Sequence, residues 1–167
     1  MAKAAQAQAS GRRKSSPARA VADDIVAASR ALVGIAVRSL APLEDDEVTL
    51  PQFRALLLVG EGRVSGAGDL AEALGVHPSN TTRLVDRLVA KGLLERGQGT
   101  DRRHVGLAVT DQGGAVVRRV LDARRSLVAD VVRHLEPGEG ERVAAALRAF
   151  ASAAGEPAED AWWLGWA

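Results

Sequence analysis

The chain has 167 residues, with 22 lysines and arginines, 21 acidic residues and no cysteine. This length allows one domain with a good core plus an arm, and the lack of cysteine excludes a disulfide framework, a thiolate zinc site and cysteine-based redox sensing. Because no run of about 18 uncharged apolar residues occurs and the N-terminus has no signal-peptide pattern, we expect a cytoplasmic protein without a membrane span.

The net charge of +1 conceals an asymmetry along the chain. Residues 1–19 carry five basic residues and no acid, so the remainder has a net charge of −4. If the protein binds nucleic acid, its positive surface must therefore be local. Residues 83–103 provide such a cluster, with six basic residues against three acidic ones.

The first part of the sequence predicts an arm and one long helix. Residues 1–16 are small, polar and low in complexity, so we expect them to be disordered. Pro17 is typical of a first helical turn, and apolar residues at helical spacing follow until Pro42 ends the pattern. These apolar residues are Val21, Ile25, Leu32, Ile35 and Leu40.

Three short helices are predicted next. Thr49 and Gln52 have the spacing of a capping box, and the helix they open should turn Phe53, Leu56 and Leu57 inward. A third helix covers about residues 67–74, and a fourth begins at a His-Pro pair and lasts to about residue 91. Each of these two ends at a glycine, where a left-handed C-terminal residue is expected.

Two strands and two helices complete the chain. Residues 93–96 and 105–109 are short candidate strands, and the loop between them makes the unit a β-hairpin. Thr110 caps a long helix with apolar residues as far as Leu135, and Pro137 begins a last helix that reaches about Ala154. The order predicts a mainly α fold with one small β-hairpin.

The third and fourth helices have the form of a helix–turn–helix, because glycine follows the first of them at turn length. In the fourth helix the apolar residues and Thr81 face the core, which leaves a polar set exposed. This set is Ser79, Asn80, Thr82, Arg83 and Arg87. Asparagine and arginine read adenine and guanine edges in the major groove, which the N-terminal half of such a helix enters. Further along, Arg87 and Lys91 are expected to contact the DNA backbone. The alternative for the whole set is an ordinary solvated face.

The stretch GQGTDRRHV at the hairpin tip is glycine-rich and cationic. Arg102 and Arg103 supply the charge, and an arginine on a thin β-tip can enter a narrow minor groove. Asp101 is expected to pair with one of them and fix its direction. Gln98 and Thr100 are candidate phosphate contacts. A solvated charged turn is the alternative for the tip alone, but a reading helix followed by a basic hairpin predicts a winged helix–turn–helix.

Three stretches resemble the multiple-antibiotic-resistance regulator (MarR) family of bacterial transcription factors, over about residues 20–155. They are TLPQFRALLLV, DLAEALGVHPSNTTRLVDRLVAKGLLER and DRRHVGLAVTDQG. The Asp-x-Arg wing and the L-x-V-T-x-x-G that follows it are the most specific part. By this resemblance Arg103 is the wing arginine, Asp101 is its partner, and the reading positions are those of Ser79, Asn80, Thr82 and Arg83. The wing departs from the family at Gln98 and Thr100, where many members carry extra basic residues.

The resemblance implies a homodimer that binds double-stranded DNA at a pseudo-palindromic operator. The first and last helices would form the dimer interface, which divides the chain into an arm (1–16), an N-terminal dimerisation helix (17–47), a DNA-binding lobe (48–110) and C-terminal dimerisation helices with a tryptophan-rich tail (111–167). The expected interface residues are Ile25, Leu32, Leu147, Phe150, Trp162, Trp163 and Trp166.

Both ends of the sequence leave alternatives open. The three tryptophans fall in the last six residues, and aromatic side chains of this size need cover. We expect them to pack across the dimer or onto the first helix, and the alternative is a groove within the same subunit. The five cations of the N-terminal arm either add phosphate contacts or only keep a disordered end soluble.

The sequence gives no sign of catalysis, cofactor or metal. It has no G-x-S-x-G, no Walker-type phosphate loop and no carboxylate–histidine cluster, so we expect it not to be an enzyme. His77, His104 and His134 lack chelating partners at helical spacing. The resemblance implies a repressor released by a small organic effector, apolar or anionic, between the lobe and the dimer helices. A regulator without an effector, an activator, and a winged-helix interaction module without DNA reading remain the alternatives.

Overall fold

A computed structural model describes residues 16–43, 48–98 and 105–156, except for the side chains of Pro42, Gln98 and Val105. The chain forms two compact units, residues 1–34 and residues 35–167. The predicted arm, the hairpin tip at 99–104 and the tryptophans lie outside the described residues.

Helix α1 covers Pro17–Arg38, as its proline start predicts. Within the first unit, none of the described residues of this helix is buried. Val21, Ile25 and Leu32 of the predicted apolar stripe are each at least 40% exposed, and Ile35, at the start of the second unit, is buried. The predicted apolar residues thus lie on a helix, but in a single chain most of them are exposed to solvent.

The second unit contains a helical lobe with a two-stranded sheet. A short 3₁₀ turn at Ala41–Leu43 is followed by five helices and two strands. These elements are α2 (Leu50–Gly60), α3 (Ala67–Leu74), α4 (Pro78–Ala90), β1 (Leu94–Gln98), β2 (Val105–Val109), α5 (Asp111–Val132) and α6 (Glu139–Ala153).

Local sequence signals set the ends of the short helices. Thr49 and Gln52 form the predicted capping box: the Thr49 amide donates to Gln52 Oε1 at 3.0 Å, and the Gln52 amide donates to Thr49 Oγ1 at 3.4 Å. Gly75 and Gly92 have φ of +64° and +68°, the left-handed conformation that only glycine adopts at little cost.

One hydrophobic core lies among α2, α3, α4, the base of the hairpin and the first half of α5. Its largest fully buried side chains include Phe53, Leu56, Leu70, Leu88, Leu94 and Val120. The prediction that Phe53, Leu56 and Leu57 face the core is confirmed. Helix α6 contributes no buried residue.

Several predicted boundaries were displaced by turns. Helix α5 ends at Val132 rather than at Leu135, because the Leu135 amide closes a turn onto the Val132 carbonyl. Strand β1 begins at Leu94 rather than 93 and continues to Gln98, because the Leu93 amide still donates to the Leu88 carbonyl across the turn that ends α4. Helix α6 begins at Glu139 rather than Pro137, because Gly138 takes φ +79° and the Glu139 amide closes a turn onto the Glu136 carbonyl.

Thr81 of α4 is fully buried, and within the described part of the chain its hydroxyl has no hydrogen-bond partner. An unpaired buried hydroxyl costs about 1–3 kcal/mol, so Thr81→Val, which keeps the branched shape, should raise the free energy of unfolding by about 1 kcal/mol. Urea denaturation at fixed protein concentration measures the change.

Thr82→Val is the matched control for that substitution. The Thr82 side chain is exposed and donates to the Pro78 carbonyl at 3.1 Å. Its replacement should alter stability by no more than about 0.5 kcal/mol. A Thr81→Val protein less stable than wild type would show that the buried hydroxyl has a partner.

Candidate nucleic-acid interface

Helices α3 and α4 are joined by a tight turn at residues 75–77. The left-handed Gly75 ends α3, and the Val76 amide donates to the Ala71 carbonyl. At the start of α3, one Asp69 carboxylate oxygen accepts from both the amide (3.0 Å) and the hydroxyl (2.6 Å) of Ser65. The two helices therefore have the short, glycine-containing connection of a helix–turn–helix.

His77 caps helix α4, a role that the sequence did not reveal. Its Nδ1 accepts from the Ser79 amide at 3.3 Å and lies 2.9 Å from Ser79 Oγ. An imidazole acceptor satisfies one of the free amides of the first turn, as the shorter Ser or Asp side chains usually do. The only sequence signal for this cap is the position of His77 directly before the N-terminal proline.

The predicted reading set lies on one exposed face of α4. Its members, Ser79, Asn80, Thr82, Arg83 and Arg87, are all exposed, while Thr81, Val85 and Leu88 are buried on the opposite face. The hydroxyls of Ser79 and Thr82 already have the local partners described above. Among the described residues, no hydrogen bond or ion pair engages the side chains of Asn80, Arg83 and Arg87, so these are the groups able to bind a ligand.

The single acid of α4 is neutralised by the hairpin. Arg96 Nη2 of β1 lies 2.5 Å from Asp86 Oδ1, and both side chains are about half exposed. An exposed pair of this kind adds less than about 1 kcal/mol to stability, but it joins β1 to α4 and neutralises the one negative charge on the exposed face of α4. Arg96, one of the six basic residues of the 83–103 cluster, therefore makes a contact within the lobe.

The base of the hairpin is fixed to both sides of the helix–turn–helix. The Leu107 amide of β2 donates to the Ser65 carbonyl at 3.1 Å. Thr110 donates through its hydroxyl to the Gly92 carbonyl at 2.6 Å and through its amide to the Leu93 carbonyl at 3.2 Å. Strands β1 and β2 pair antiparallel from Leu94–Val109 out to Gln98–Val105, so the hairpin leaves the lobe directly beside the end of α4.

Several predicted contacts fall outside what the structure describes. Thr100, Asp101, Arg102 and Arg103 belong to the undescribed tip, and the Gln98 side chain is also undescribed. The predicted phosphate contact Lys91 is the half-buried C-terminal cap residue of α4.

Neither a metal centre nor a membrane span is found in the part of the chain that the structure describes. No group of three or more His, Asp or Glu side chains in 16–43, 48–98 and 105–156 has the arrangement needed to hold a metal ion. Across the same ranges, none of the helices has the length and apolar character required to cross a bilayer.

A helix–turn–helix followed by an anchored antiparallel hairpin defines a winged helix–turn–helix protein. A sequence model of the MarR family matches residues 47–104, which include all of α2, α3, α4 and β1. A crystal structure of RV1404 from Mycobacterium tuberculosis shares 38% sequence identity, with a TM-score of 0.77, over 86% of this chain and 97% of that one. The chain belongs to the MarR family.

Two further comparisons bear on fold and function. The HTH-type transcriptional repressor MdtR of Bacillus subtilis is 32% identical over 101 residues, 60% of this chain and 65% of MdtR. The chain spans less than two thirds of the length of the curated relatives it matches. A Staphylococcus aureus MepR mutant bound to an oligodeoxyribonucleotide shares the fold, with a TM-score of 0.58 and 20% identity over 80% of this chain and 96% of that one.

Proposed function

We propose that the protein is a sequence-specific, double-stranded DNA-binding transcriptional regulator that acts as a homodimer. The observation that carries the proposal is the exposed face of α4, where Asn80, Arg83 and Arg87 have no partner within the described residues while the one acid of the helix is paired. On this face the negative charge is neutralised, while the two arginines and the asparagine are left available to contact DNA.

The chemistry of this face suits the major groove. Asn80 can accept from and donate to an adenine edge, and Arg83 can donate to O6 and N7 of guanine. Both lie in the N-terminal half of the helix, the part that enters the groove, and the free amides there favour a phosphate. Arg87 and Lys91 lie further along and are proposed to contact the DNA backbone.

The hairpin is proposed as the wing. Its base is held beside the end of α4, so a tip of ordinary length would meet the same DNA duplex as the reading helix. In that arrangement Arg103 enters the minor groove, Asp101 orients it, and Arg102, Gln98 and Thr100 contact the backbone. Arg103→Ala therefore belongs in the same binding experiment as the α4 substitutions.

The proposal of a dimer rests on apolar surface that the lobe does not cover. Exposed apolar side chains of the second unit concentrate on the late part of α5 and on α6, both outside the core. Those on α5 and α6 are Val128, Val131, Val132, Val143, Leu147 and Phe150, and the other exposed ones of this unit are Val37 and Val76. A surface helix normally buries one apolar stripe, and a contiguous exposed patch marks an interface. A two-fold dimer would present two copies of α4 to a pseudo-palindromic operator.

Repression, with release by a small organic effector, is the mode of regulation that we propose. Its support is the similarity to MdtR, which is named a repressor. Since an effector must bind the free and DNA-bound conformations with different affinity, it would act by shifting the spacing of the two α4 helices.

Operator binding by an Arg83→Ala variant tests the proposed function. DNA that flanks the protein's own gene is titrated at one stated salt concentration, because phosphate contacts make affinity strongly salt-dependent. Loss of a bidentate base contact should weaken binding by about 1–3 kcal/mol, or roughly 5- to 150-fold, and relax specificity at one base pair.

Arg142→Ala is the matched control for this titration. It removes the same charge from α6, where the Arg142 side chain is 71% exposed and pairs only with Glu139 among the described residues. Its operator affinity should equal that of wild type. If Arg83→Ala binds no more weakly than Arg142→Ala, α4 does not read DNA, and if neither protein binds any duplex above background, the interaction-module alternative is favoured.

A further inference from the structure

An apolar groove lies on the lobe between the start of α2 and the helix–turn–helix. Its volume is about 390 Å³, within the range of small-ligand sites. Its lining residues are Leu50, Pro51, Arg54, Leu74, Val76, Asn80 and Leu84. Only Arg54 and Asn80 are polar, and Val76 is left 42% exposed to solvent.

The end of helix α6 is tied to the edge of this groove. Gly155, with φ +74°, turns the chain, and Glu156 then pairs with Arg54 of the groove lining through Nη2 and Oε1 at 2.5 Å. Arg63 adds a second contact, at 3.4 Å from Glu156 Oε2, and donates to the Gly155 carbonyl at 3.3 Å. Arg54 and Arg63 thus hold Glu156 at the groove edge, although each lies about a hundred residues away from it in the sequence.

The sequence that follows Glu156 has the composition of an occupant for the groove. Residues 157–167 read PAEDAWWLGWA and contain all three tryptophans of the chain. Trp162 lies six residues beyond Glu156, a separation that an extended chain spans over about 20 Å.

We propose that the tryptophan segment 162–166 docks in this groove of its own subunit. The segment is covalently joined to Glu156, which pairs with Arg54 of the groove lining, so docking is intramolecular and takes place at a high effective concentration. Each tryptophan can bury about 150–250 Å² of surface, and here it would do so against the apolar residues that line the groove. Docking fastens the end of α6 to α2 and α4, and it brings the segment against Asn80 of the reading face.

Tryptophan fluorescence of the full chain reports on this segment directly, because no tryptophan lies elsewhere and the chain has no tyrosine. Wild type should emit at short wavelength and resist quenching by acrylamide. Val76→Glu places a charge in the groove at a partly exposed position, so it should move emission to longer wavelength and raise the quenching constant toward that of the unfolded chain.

Ala73→Glu is the matched control, since it adds the same charge at an exposed position of α3 that does not line the groove. Its emission should equal that of wild type. Removal of residues 157–167 should also increase binding of the apolar dye ANS, and Val76→Glu in the shortened chain should abolish the increase. Circular dichroism confirms that each variant is folded.

Three results would overturn the proposal. One is solvent-exposed emission in wild type, and another is emission that Val76→Glu leaves unchanged while a dimer-weakening change in α6 shifts it, which places the segment across the dimer. The third is equal ANS binding by the full and shortened chains, which leaves the groove to a small molecule. None of these readouts needs DNA, so failure here is distinct from failure of the proposed function.

Discussion

Gly113→Ala should lower the free energy of unfolding by about 2–4 kcal/mol. A methyl group at this position of α5 would lie 2.2 Å from the Leu93 carbonyl oxygen and 2.7 Å from Val109 Cγ1. The nearest atom belongs to the backbone, so a change of side-chain rotamer cannot relieve the contact. Either the first turn of α5 or the base of the hairpin must move, and both are packed on the core.

Gly68→Ala adds the same methyl group where it meets nothing. Gly68 lies in α3, and a Cβ built there has no neighbour within 4 Å. Alanine is the better helix former, so this variant should be more stable than wild type by about 0.5–1 kcal/mol. Urea denaturation at one protein concentration compares the two variants, and a Gly113→Ala protein as stable as wild type would show that α5 does not approach Leu93 this closely.

The close approach of Gly113 to Leu93 explains why a threonine and a glycine stand three residues apart where the hairpin leads into α5. Thr110 Oγ1 accepts from the Gly113 amide at 3.0 Å and donates to the Gly92 carbonyl. One threonine therefore caps α5 and ties it to the turn after α4, and glycine three residues later allows the two backbones to meet. If Gly113→Ala displaces the hairpin, it should also weaken operator binding although it changes no proposed DNA contact.

The short helices could be predicted from the sequence because their end signals are local. The bounds predicted for α3 are those observed, and α2 and α4 have the predicted capping box and C-terminal glycine. The exposed face of α4 could be predicted for a similar reason. Helical spacing alone separates Thr81, Val85 and Leu88 from the polar face, and burial confirms that separation.

Contacts between distant residues could not be predicted. Nothing in the sequence pairs Glu156 with Arg54, or Asp86 with Arg96, because such pairs depend on how the elements pack. Periodicity also cannot say what covers an apolar stripe. The stripe of α1 and the one of α6 have the same pattern as a core helix, yet the α6 residues Val143, Leu147 and Phe150 lie at least 43% exposed in the single chain.

That exposure leads to the second large effect: Leu147→Asp should convert the proposed homodimer largely to monomer at micromolar concentration. Leu147 lies between Val143 and Phe150 on one face of α6, and no residue of this helix is part of the core. A carboxylate buried without a partner in an apolar interface costs several kcal/mol, and each dimer would contain two. Because the lobe does not use α6, the monomer should keep its fold.

Sedimentation equilibrium over a range of concentrations measures the change, with Ala145→Asp as the control. Ala145 is exposed on the opposite face of the same helix, so it receives the same charge away from the proposed interface. Its dimer should be as tight as wild type. If Leu147→Asp remains dimeric at every concentration where wild type does, the subunits meet through another surface.

Operator binding then separates the role of the dimer from that of the reading helix. Arg83→Ala should remain dimeric and lose affinity through a missing base contact. Leu147→Asp retains every proposed DNA contact, but its two copies of α4 are no longer linked. Each half-site must then be filled by an independent binding event, without the high effective concentration that linkage provides, so apparent affinity should fall by about 10²-fold or more. At protein concentrations high enough to restore the dimer, Leu147→Asp should again occupy both half-sites, whereas the Arg83→Ala dimer should keep its relaxed specificity at every concentration.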